Sequence, residues 1–376
     1  MKILFTYEYP FHKAGYGGGQ QIIRGFSKAL SDLGNEVNIA CLGDDELGLN
    51  NEVSNVQYNF QYKYKVGLLS TFFATVGAIK LISNLKPDFV LSFSSEALFV
   101  SLYCKLVRIP FYIYVAAPNL PKFHFSNPLE YVKNIRYHLP LYFQYLGCIF
   151  STKIFTISEF ISLEVFNHWK INQSKIVTAG CAISEEVIDF KSNQVCKNTN
   201  GIKIATTGRI MYTQKPINIL AKSLSNGNIN IKEWNIVGSG ADLEDFKGLI
   251  EQLNLKNIAK IHSTLSTKEV CNLYEKMDII ILPSISESFF ITVYEAISLK
   301  KILITNKVAL LNEIFKNYKT VIFADDISEG AYRKAINQAI ELLDNPEIDQ
   351  YLFQASEFVN ENYNWEKISK RFLDKI

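Results

Sequence analysis

Two glutamates, Glu287 and Glu295, stand eight residues apart where the chain leaves a predicted strand and enters a predicted helix. The segment before them, residues 277–282, is almost entirely apolar, as in a strand that is buried on both faces. Helical spacing begins near Phe289, so Glu287 falls in the connecting loop and Glu295 about two turns into the helix. Because ligands of open α/β sheets bind at the carboxyl ends of strands, two carboxylates there can accept hydrogen bonds from a polyhydroxylated ligand such as a sugar. The alternative is a first-turn glutamate favoured by the helix dipole together with an ordinary surface glutamate.

Two cations precede this pair in a similar setting. Arg209 follows Gly208 at the end of a short apolar strand, residues 202–206, and Lys215 comes six residues after it, next to a proline suited to the first turn of a helix. The following strand ends in a tight Gly-Ser-Gly turn at residues 238–240. Arginine and lysine both form charge-assisted bonds to phosphate oxygens. At neighbouring strand ends, the two side chains can clamp a diphosphate.

In this order, the motifs resemble the C-terminal half of the family 4 retaining glycosyltransferases, which have the two-domain GT-B fold. The first half of the chain agrees. A glycine loop at residues 17–20 opens a helix that runs through Leu30, and Gly-Asn-Glu-Val at residues 34–37 leads into the next strand, with Asn35 in place of the family's usual histidine. The resemblance covers essentially the whole chain, and the Glu-x7-Glu block with the Arg/Lys pair is its most specific part.

The resemblance implies transfer of a sugar, with retention of anomeric configuration, from a nucleotide-diphosphate sugar to a glycan, lipid-linked or small-molecule acceptor. It assigns catalytic roles to Arg209 and Lys215, which offset charge on the leaving diphosphate, and to Glu287, which faces the donor sugar; Glu295 faces the ribose. A UDP- or GDP-sugar is the expected substrate, with no cofactor and no metal. The donor-binding residues implied by the motifs are Gly18, Gly19, Gly208, Arg209, Lys215, Gly238, Glu287, Ser288, Phe289, Phe290, Ile291 and Glu295.

Several positions depart from the family pattern. Phe290 occupies a place where glycine lets the diphosphate approach closely, Ala309-Leu310 aligns with a glycine pair, and Lys300 stands where another glycine is common. A histidine that often ends the fourth N-terminal strand is replaced by Ala116, with His12 and His124 in loops as alternatives. These losses favour an unusual donor sugar or reduced activity. A catalytically weak GT-B subunit that binds a nucleotide sugar, and a nucleotide-sugar epimerase, therefore remain alternative functions.

Length and composition agree with a two-domain α/β protein. The chain has 376 residues, of which 48% are hydrophobic, and strand and helix patterns alternate along it, so a mostly parallel sheet is expected in each half. We expect an acceptor-binding Rossmann-like domain at 1–189, a linker at 190–201, a nucleotide-sugar-binding Rossmann-like domain at 202–358, and a C-terminal helix at 359–376 that crosses back to the first domain. In the GT-B fold, the two parallel sheets face a central cleft.

The formal net charge of +2 argues against a dedicated nucleic-acid binder. The six cysteines and five histidines lack metal-ligand spacing, so the cysteines are interpreted as buried thiols of a reducing compartment and no metal site is expected. The N-terminus is predicted to be a strand and not a signal peptide. The uncharged stretch 66–79 is shorter than the roughly 20 residues needed to span a bilayer. A cytoplasmic protein, soluble or peripheral on the inner face of the plasma membrane, is expected.

One region of the first half suggests a membrane surface. Residues 53–153 contain ten lysines and arginines against three acidic residues, and carry an apolar stripe of helical spacing around Phe72 together with several tyrosines. Such a face can rest on an anionic membrane and meet a lipid-linked acceptor. The alternative is that the stripe belongs to the core and that the cations are scattered, solvated groups.

Overall fold

The structure, a computed structural model, describes residues 1–8, 18–43, 55–60, 68–116, 135–191, 201–225 and 229–376. The chain divides into unit 1, Met1–Ala182 with Trp365–Ile376, and unit 2, Ile183–Asn364. The division falls before residue 189, where the sequence places the end of the first domain, because a short helix at Glu185–Ile188 packs against helices of unit 2.

Unit 1 contains a parallel sheet of seven described strands, whose order is β3-β2-β1-β4-β5-β6-β7. The chain runs outward from β1 to β3 and then returns to β4, so the order reverses between β1 and β4. Because parallel crossovers are right-handed, this reversal places helices on both faces of the sheet. The strands are β1 Lys2–Thr6, β2 Glu36–Cys41, β3 Val56–Phe60, β4 Phe89–Ser92, β5 Phe111–Val115, β6 Lys153–Thr156 and β7 Ile176–Thr178, and the helices are α1 Gly18–Asp32, α2 Leu68–Leu85, α3 Ala97–Val107, α4 Ile135–Phe150 and α5 Glu159–Trp169.

Unit 2 repeats this plan with six described parallel strands in the order β10-β9-β8-β11-β12-β13, so its reversal lies between β8 and β11. Its central strand β11 is buried along its whole length, as the continuous apolar run predicts. The strands are β8 Ile202–Thr207, β9 Ile231–Val237, β10 Ala259–His262, β11 Ile279–Leu282, β12 Ile302–Thr305 and β13 Val321–Phe323, and the helices are α6 Glu185–Ile188, α7 Ile217–Ser225, α8 Leu243–Gln252, α9 Thr267–Glu275, α10 Ile291–Ser298, α11 Leu311–Ile314, α12 Glu329–Leu343 and α13 Ile348–Asn362. The two sheets confirm the predicted α/β class with two Rossmann-like parallel sheets.

The last helix, α14 Trp365–Leu373, packs on α1 and belongs to unit 1. Its Phe372 is fully buried, with ring centroids 5.0, 5.9 and 4.5 Å from those of Phe26, Phe89 and Phe155. The C-terminal dozen residues thus fill part of the core of unit 1.

Two elements differ from the sequence-based expectation. Strand β3 was not predicted; it lies at the edge of the sheet and alternates polar with apolar residues over only five positions, so its signal is weak. The sequence pattern predicts a helix at 128–147, whereas α4 ends later, at Phe150. Residues 128–134 and the loop histidines His12 and His124 lie outside the described ranges.

The five cysteines in the described ranges, Cys41, Cys104, Cys148, Cys181 and Cys271, are all buried. Every helix within those ranges is too short or too polar to span a bilayer.

Candidate functional site

The predicted donor residues of unit 2 follow three neighbouring strands. Arg209 follows β8, Gly238 follows β9, and Glu287 follows β11, and β8 pairs in parallel with both other strands. The carboxyl ends of these strands therefore meet at one edge of the sheet, on either side of the point where the strand order reverses. This is where open α/β sheets bind ligands.

Lys215 and Glu287 form the central contact of this edge. The Lys215 Nζ donates to Glu287 Oε1, and the two side chains are only 14% and 20% exposed. Ser284 Oγ donates to the same carboxylate oxygen at 3.0 Å. Burial lowers the pKa of Lys215, and the neighbouring Glu287 opposes that shift by favouring the charged form. Two of the three predicted catalytic residues are thus in direct contact.

Arg209 adds a second positive charge beside this pair. Its side chain is exposed, with Nη1 3.4 Å from Gln214 Oε1, and its charge further lowers the pKa of Lys215. The group thus contains two cations and one carboxylate. The excess positive charge suits an anionic ligand such as a diphosphate.

The loops after β8 and β9 are held close by their glycines. Gly208 and Gly238 have positive φ angles of 134° and 156°. A Cβ atom on Gly238 would lie 1.9 Å from the carbonyl oxygen of Gly208, and one on Gly240 would lie 2.1 Å from that of Ile210. A side chain at Gly238 or Gly240 would collide with this backbone, so the two turns can approach each other this closely only with glycine at these positions.

Glu295 projects from the second turn of α10 and is partly buried. Burial disfavours its ionised form and raises the pKa of its carboxyl group to about 7. Its charge acts on Cys271 and Tyr274 of α9, and the Tyr274 hydroxyl is bonded to Thr207 at the end of β8. Among the described residues the carboxyl group has no hydrogen-bond partner, so it can accept hydrogen bonds from ligand hydroxyls.

Comparison with known proteins agrees with this arrangement. Residues 187–352 match the sequence model of the family described as glycosyl transferases group 1. Unit 2 is a group 1 glycosyltransferase domain. A curated relative, the phosphatidylinositol N-acetylglucosaminyltransferase GPI3 subunit of Saccharomyces cerevisiae, is 26% identical over 142 residues, which cover 38% of this chain and 31% of the relative. A Methanocaldococcus jannaschii protein, described as the uncharacterized glycosyltransferase MJ1178, is 21% identical over 253 residues, 67% of this chain and 66% of the relative. The chain spans about a third of the length of the first of these relatives.

Solved glycosyltransferase structures share the fold of the whole chain. A glycosyltransferase from Rickettsia africae has a TM-score of 0.75 at 19% identity and covers 100% of this chain and 97% of its own. Anabaena HepE in complex with UDP and glucose has a TM-score of 0.74 at 16% identity, with 100% and 99% covered. The protein therefore has the GT-B fold.

Within the glycosyltransferase domain, Phe290 occupies the position where a glycine would let the diphosphate approach, but its side chain does not project into solvent. Its side chain is 4% exposed, and its ring centroid lies 3.4 Å from Lys215 Nζ. At this distance the ring face attracts the ammonium group, so Phe290 stabilises the charged Lys215 through a cation–π contact. Helix α10 begins at the next residue, Ile291.

Other predicted donor residues have packing or backbone roles. Phe289 is buried and stacks on Tyr294 with ring centroids 4.4 Å apart. Ile291 is predicted to bind the donor, and its amide donates to the carbonyl of Phe289 at 3.1 Å. Ser288 lies partly buried in the loop before them. In this segment the structure thus brings Glu287 and Phe290 to Lys215, while Phe289 belongs to the core.

Gly18 and Gly19 lie in unit 1, exposed in the first turn of α1. A Cβ atom on Gly19 would make only an ordinary contact, 3.5 Å from the Tyr7 hydroxyl. Both glycines belong to unit 1, whereas the other predicted donor residues belong to unit 2, and their role in donor binding stays a prediction.

Three residues that replace glycines of the family pattern have the backbone conformation that glycine favours. Lys300, Ala309 and Leu310 have φ angles of 55°, 50° and 61°, in the left-handed region that other residues rarely adopt. Lys300 follows the end of α10, where a left-handed residue commonly terminates a helix. The glycosyltransferase domain therefore retains the turns although the glycines are absent.

Sequence reasoning missed the polar residues that hold the Glu287 loop. The amide of Ser284 donates to Asn306 Oδ1 at 2.9 Å, and the same oxygen accepts from the Tyr332 hydroxyl at 2.9 Å. Asn306 directly follows β12, which pairs with β11. Its position after a buried strand was the signal available in the sequence.

Proposed function

We propose that the chain transfers a sugar from a UDP- or GDP-sugar to an acceptor hydroxyl, with retention of anomeric configuration and without a metal ion. The contact between Lys215 and Glu287, with Arg209 beside it at the reversal point of the sheet, is the observation that carries this proposal. Its support is the match of residues 187–352 to group 1 glycosyl transferases and the fold shared with a UDP complex.

In the proposed reaction, the bond between the anomeric carbon and the diphosphate oxygen breaks and the acceptor oxygen bonds to the same carbon. Lys215 and Arg209 stabilise the negative charge that develops on the leaving diphosphate. The phosphate oxygen that leaves takes the proton of the acceptor hydroxyl on the same face of the sugar, so no side chain acts as base. Glu287 orients Lys215 and faces the donor sugar, and Glu295 accepts hydrogen bonds from the ribose hydroxyls.

A lysine-to-methionine substitution tests the proposal. Lys215→Met is expected to lower kcat about 100- to 1,000-fold, because it removes a charge that acts mainly in the transition state. Lys247→Met is the matched control, since Lys247 forms only a surface ion pair with Glu244. A panel of UDP-, GDP-, ADP- and CMP-sugars in a thermal-shift assay identifies the donor, and NMR of the product reads its anomeric configuration.

Full turnover by Lys215→Met would contradict the proposal, as would a panel in which no nucleotide diphosphate raises the Tm. A product of inverted configuration would overturn retention but leave sugar transfer intact.

A second candidate function is a nucleotide-sugar-binding subunit with little activity of its own. One observation favours it: a curated relative is named as the subunit of a transferase. That relative's name also motivates a lipid-linked acceptor for this chain, and the buried thiols agree with a cytoplasmic location. Donor binding without turnover by the purified chain, with turnover restored by added cell extract, would support the subunit function.

A further inference from the structure

Helices α2, α3 and α4 of unit 1 pack beside one another and form what we call the helical layer. The layer exposes large apolar side chains in two regular stripes. In α2, Leu69, Phe72 and Val76 are 55%, 60% and 36% exposed, and in α3, Phe99, Leu102 and Leu106 are 42%, 43% and 78% exposed. Both stripes follow the spacing i, i+3 and i+7, so each forms one continuous outward ridge.

These ridges are not a misplaced part of the core. Helix α2 also has a buried face, which includes Ala78 and Ile82 and packs on β1 and β2, and α3 buries Val100 and Cys104. The side of each helix that faces the protein is thus already apolar and filled. The ridge side chains keep 36% to 78% of their surface exposed, although Phe99 also contacts Phe143 of α4, with ring centroids 5.2 Å apart. The apolar stripe predicted around Phe72 therefore has two parts: inward side chains that belong to the core, and outward side chains that are exposed.

The charges of the helical layer have one sign. Residues 68–85, 97–107 and 135–150 contain no aspartate or glutamate, whereas Lys80 and Lys105 are exposed on α2 and α3. Arg108 is exposed directly after α3. A depression of about 270 Å³ at the end of α3 has Lys105 at its wall, together with the apolar side chains Ile149 and Phe150 from the end of α4. Exposed apolar ridges with only cations beside them match the interface of an anionic bilayer.

We propose that the helical layer docks on the surface of an anionic lipid bilayer, with the two ridges entering the interface and the lysines and arginine meeting lipid phosphates. Charge decides between this occupant and a second copy of the chain. Two copies joined through this layer would set the same cations against each other, whereas anionic lipids neutralise them. The inference rests on the helical layer alone and does not depend on sugar transfer.

Vesicle co-sedimentation tests the docking. The purified full chain is expected to bind phosphatidylcholine vesicles that contain phosphatidylglycerol, to bind pure phosphatidylcholine vesicles at least tenfold more weakly, and to be released by salt. Phe72→Glu and Leu106→Glu each place an anion on a ridge and should weaken binding about tenfold or more. Both side chains are mostly exposed, so the Tm of each variant should match that of the wild type.

Phe353→Glu is the matched control, because Phe353 is a 48% exposed aromatic residue of unit 2, outside the helical layer. It should bind vesicles as the wild type does. The proposal is overturned if the wild type ignores phosphatidylglycerol vesicles at low salt, or if both ridge variants bind undiminished. It is also overturned if light scattering shows a dimer in solution that Leu106→Glu dissociates, since the layer would then be an interface between copies.

Discussion

Phe290 and Lys215 form a contact in which an aromatic ring replaces the glycine expected at that position. We expect Phe290→Leu, which keeps an apolar side chain but removes the ring face, to raise the KM for the donor about fivefold, since a partly desolvated cation–π contact contributes about 1 kcal/mol. Steady-state kinetics with the donor varied measure this. Phe289→Leu serves as the comparison, and an equal rise in KM for both variants would mean that loss of packing, and not loss of the ring beneath Lys215, is responsible.

A second residue-scale feature lies in unit 1, where the fully buried Glu96 accepts hydrogen bonds from Thr6 Oγ1 at 2.7 Å and Ser92 Oγ at 3.0 Å. Burial, with a smaller contribution from the charge of Glu8, raises the pKa of Glu96 from 4.5 to about 7. The folded state therefore holds this proton more tightly than the unfolded state. The stability that the proton confers is complete below about pH 4.5 and is lost as the pH rises to about 7, by at most about 1.4 kcal/mol per pH unit.

Glu96→Gln should remove this dependence, so that the variant gains Tm relative to the wild type between pH 5 and pH 8. Thermal unfolding across that range measures the gain. Because the pKa of Glu295 is also raised to about 7, the wild-type slope has two sources, and Glu96→Gln should abolish only part of it. A constant difference in Tm at all pH values would show that Glu96 does not titrate in this window.

At this scale, the sequence predicts which strand ends carry charged residues but not how the neighbouring rings point. Arg209 and Glu287 each follow an apolar strand, and parallel strands place their carboxyl ends at one edge, so their proximity follows from order along the chain. The direction of the Phe290 ring depends on Lys215, 75 residues earlier, and no local pattern encodes it.

At the scale of elements, the turns after β8 and β9 depend on a backbone contact between glycines. Gly238→Ala would place a methyl group 1.9 Å from the Gly208 carbonyl oxygen, so we expect it to separate the turns and abolish the Tm shift given by the donor nucleotide. Gly248→Ala is the control: it lies in α8 with nothing within 4 Å of the added methyl group, and alanine should stabilise the helix by up to about 1 kcal/mol. Normal nucleotide binding by Gly238→Ala would refute the need for this close approach.

Each of the two sheets contains an equivalent hydrogen bond to an aspartate, which the sequence alone did not predict. In unit 1, Asp88 Oδ2 accepts from the Lys2 amide at 2.7 Å, and in unit 2, Asp278 Oδ2 accepts from the Lys203 amide at 2.7 Å. Each aspartate stands just before the strand where the order reverses, and each amide lies at the start of the first strand of its sheet. Central strands were predictable because their apolar runs are continuous. The edge strand β3 was not, since half of its residues face outward.

At the scale of the whole molecule, α14 completes the core of unit 1 although it follows unit 2 in the chain. Phe372→Ala should cost unit 1 about 3–5 kcal/mol, because the cavity would open among three buried aromatic rings. Limited proteolysis with mass spectrometry should find new cleavage in unit 1 at a lower temperature, while nucleotide binding by unit 2 persists. Lys370→Ala, an exposed change in the same helix, should leave the pattern unaltered, and protection of unit 1 in Phe372→Ala would contradict the assigned role of the helix.

The same helix has a consequence for synthesis on the ribosome. Unit 2 is one uninterrupted segment, Ile183–Asn364, whereas unit 1 needs Trp365–Ile376 to cover Phe26, Phe89 and Phe155. The N-terminal domain of a nascent chain usually folds first, but here unit 1 can complete its core only after all of unit 2 has been translated. Unit 1 emerges early but keeps an apolar gap until residues 365–376 have been translated, so the nascent chain is a candidate for chaperone binding during that interval.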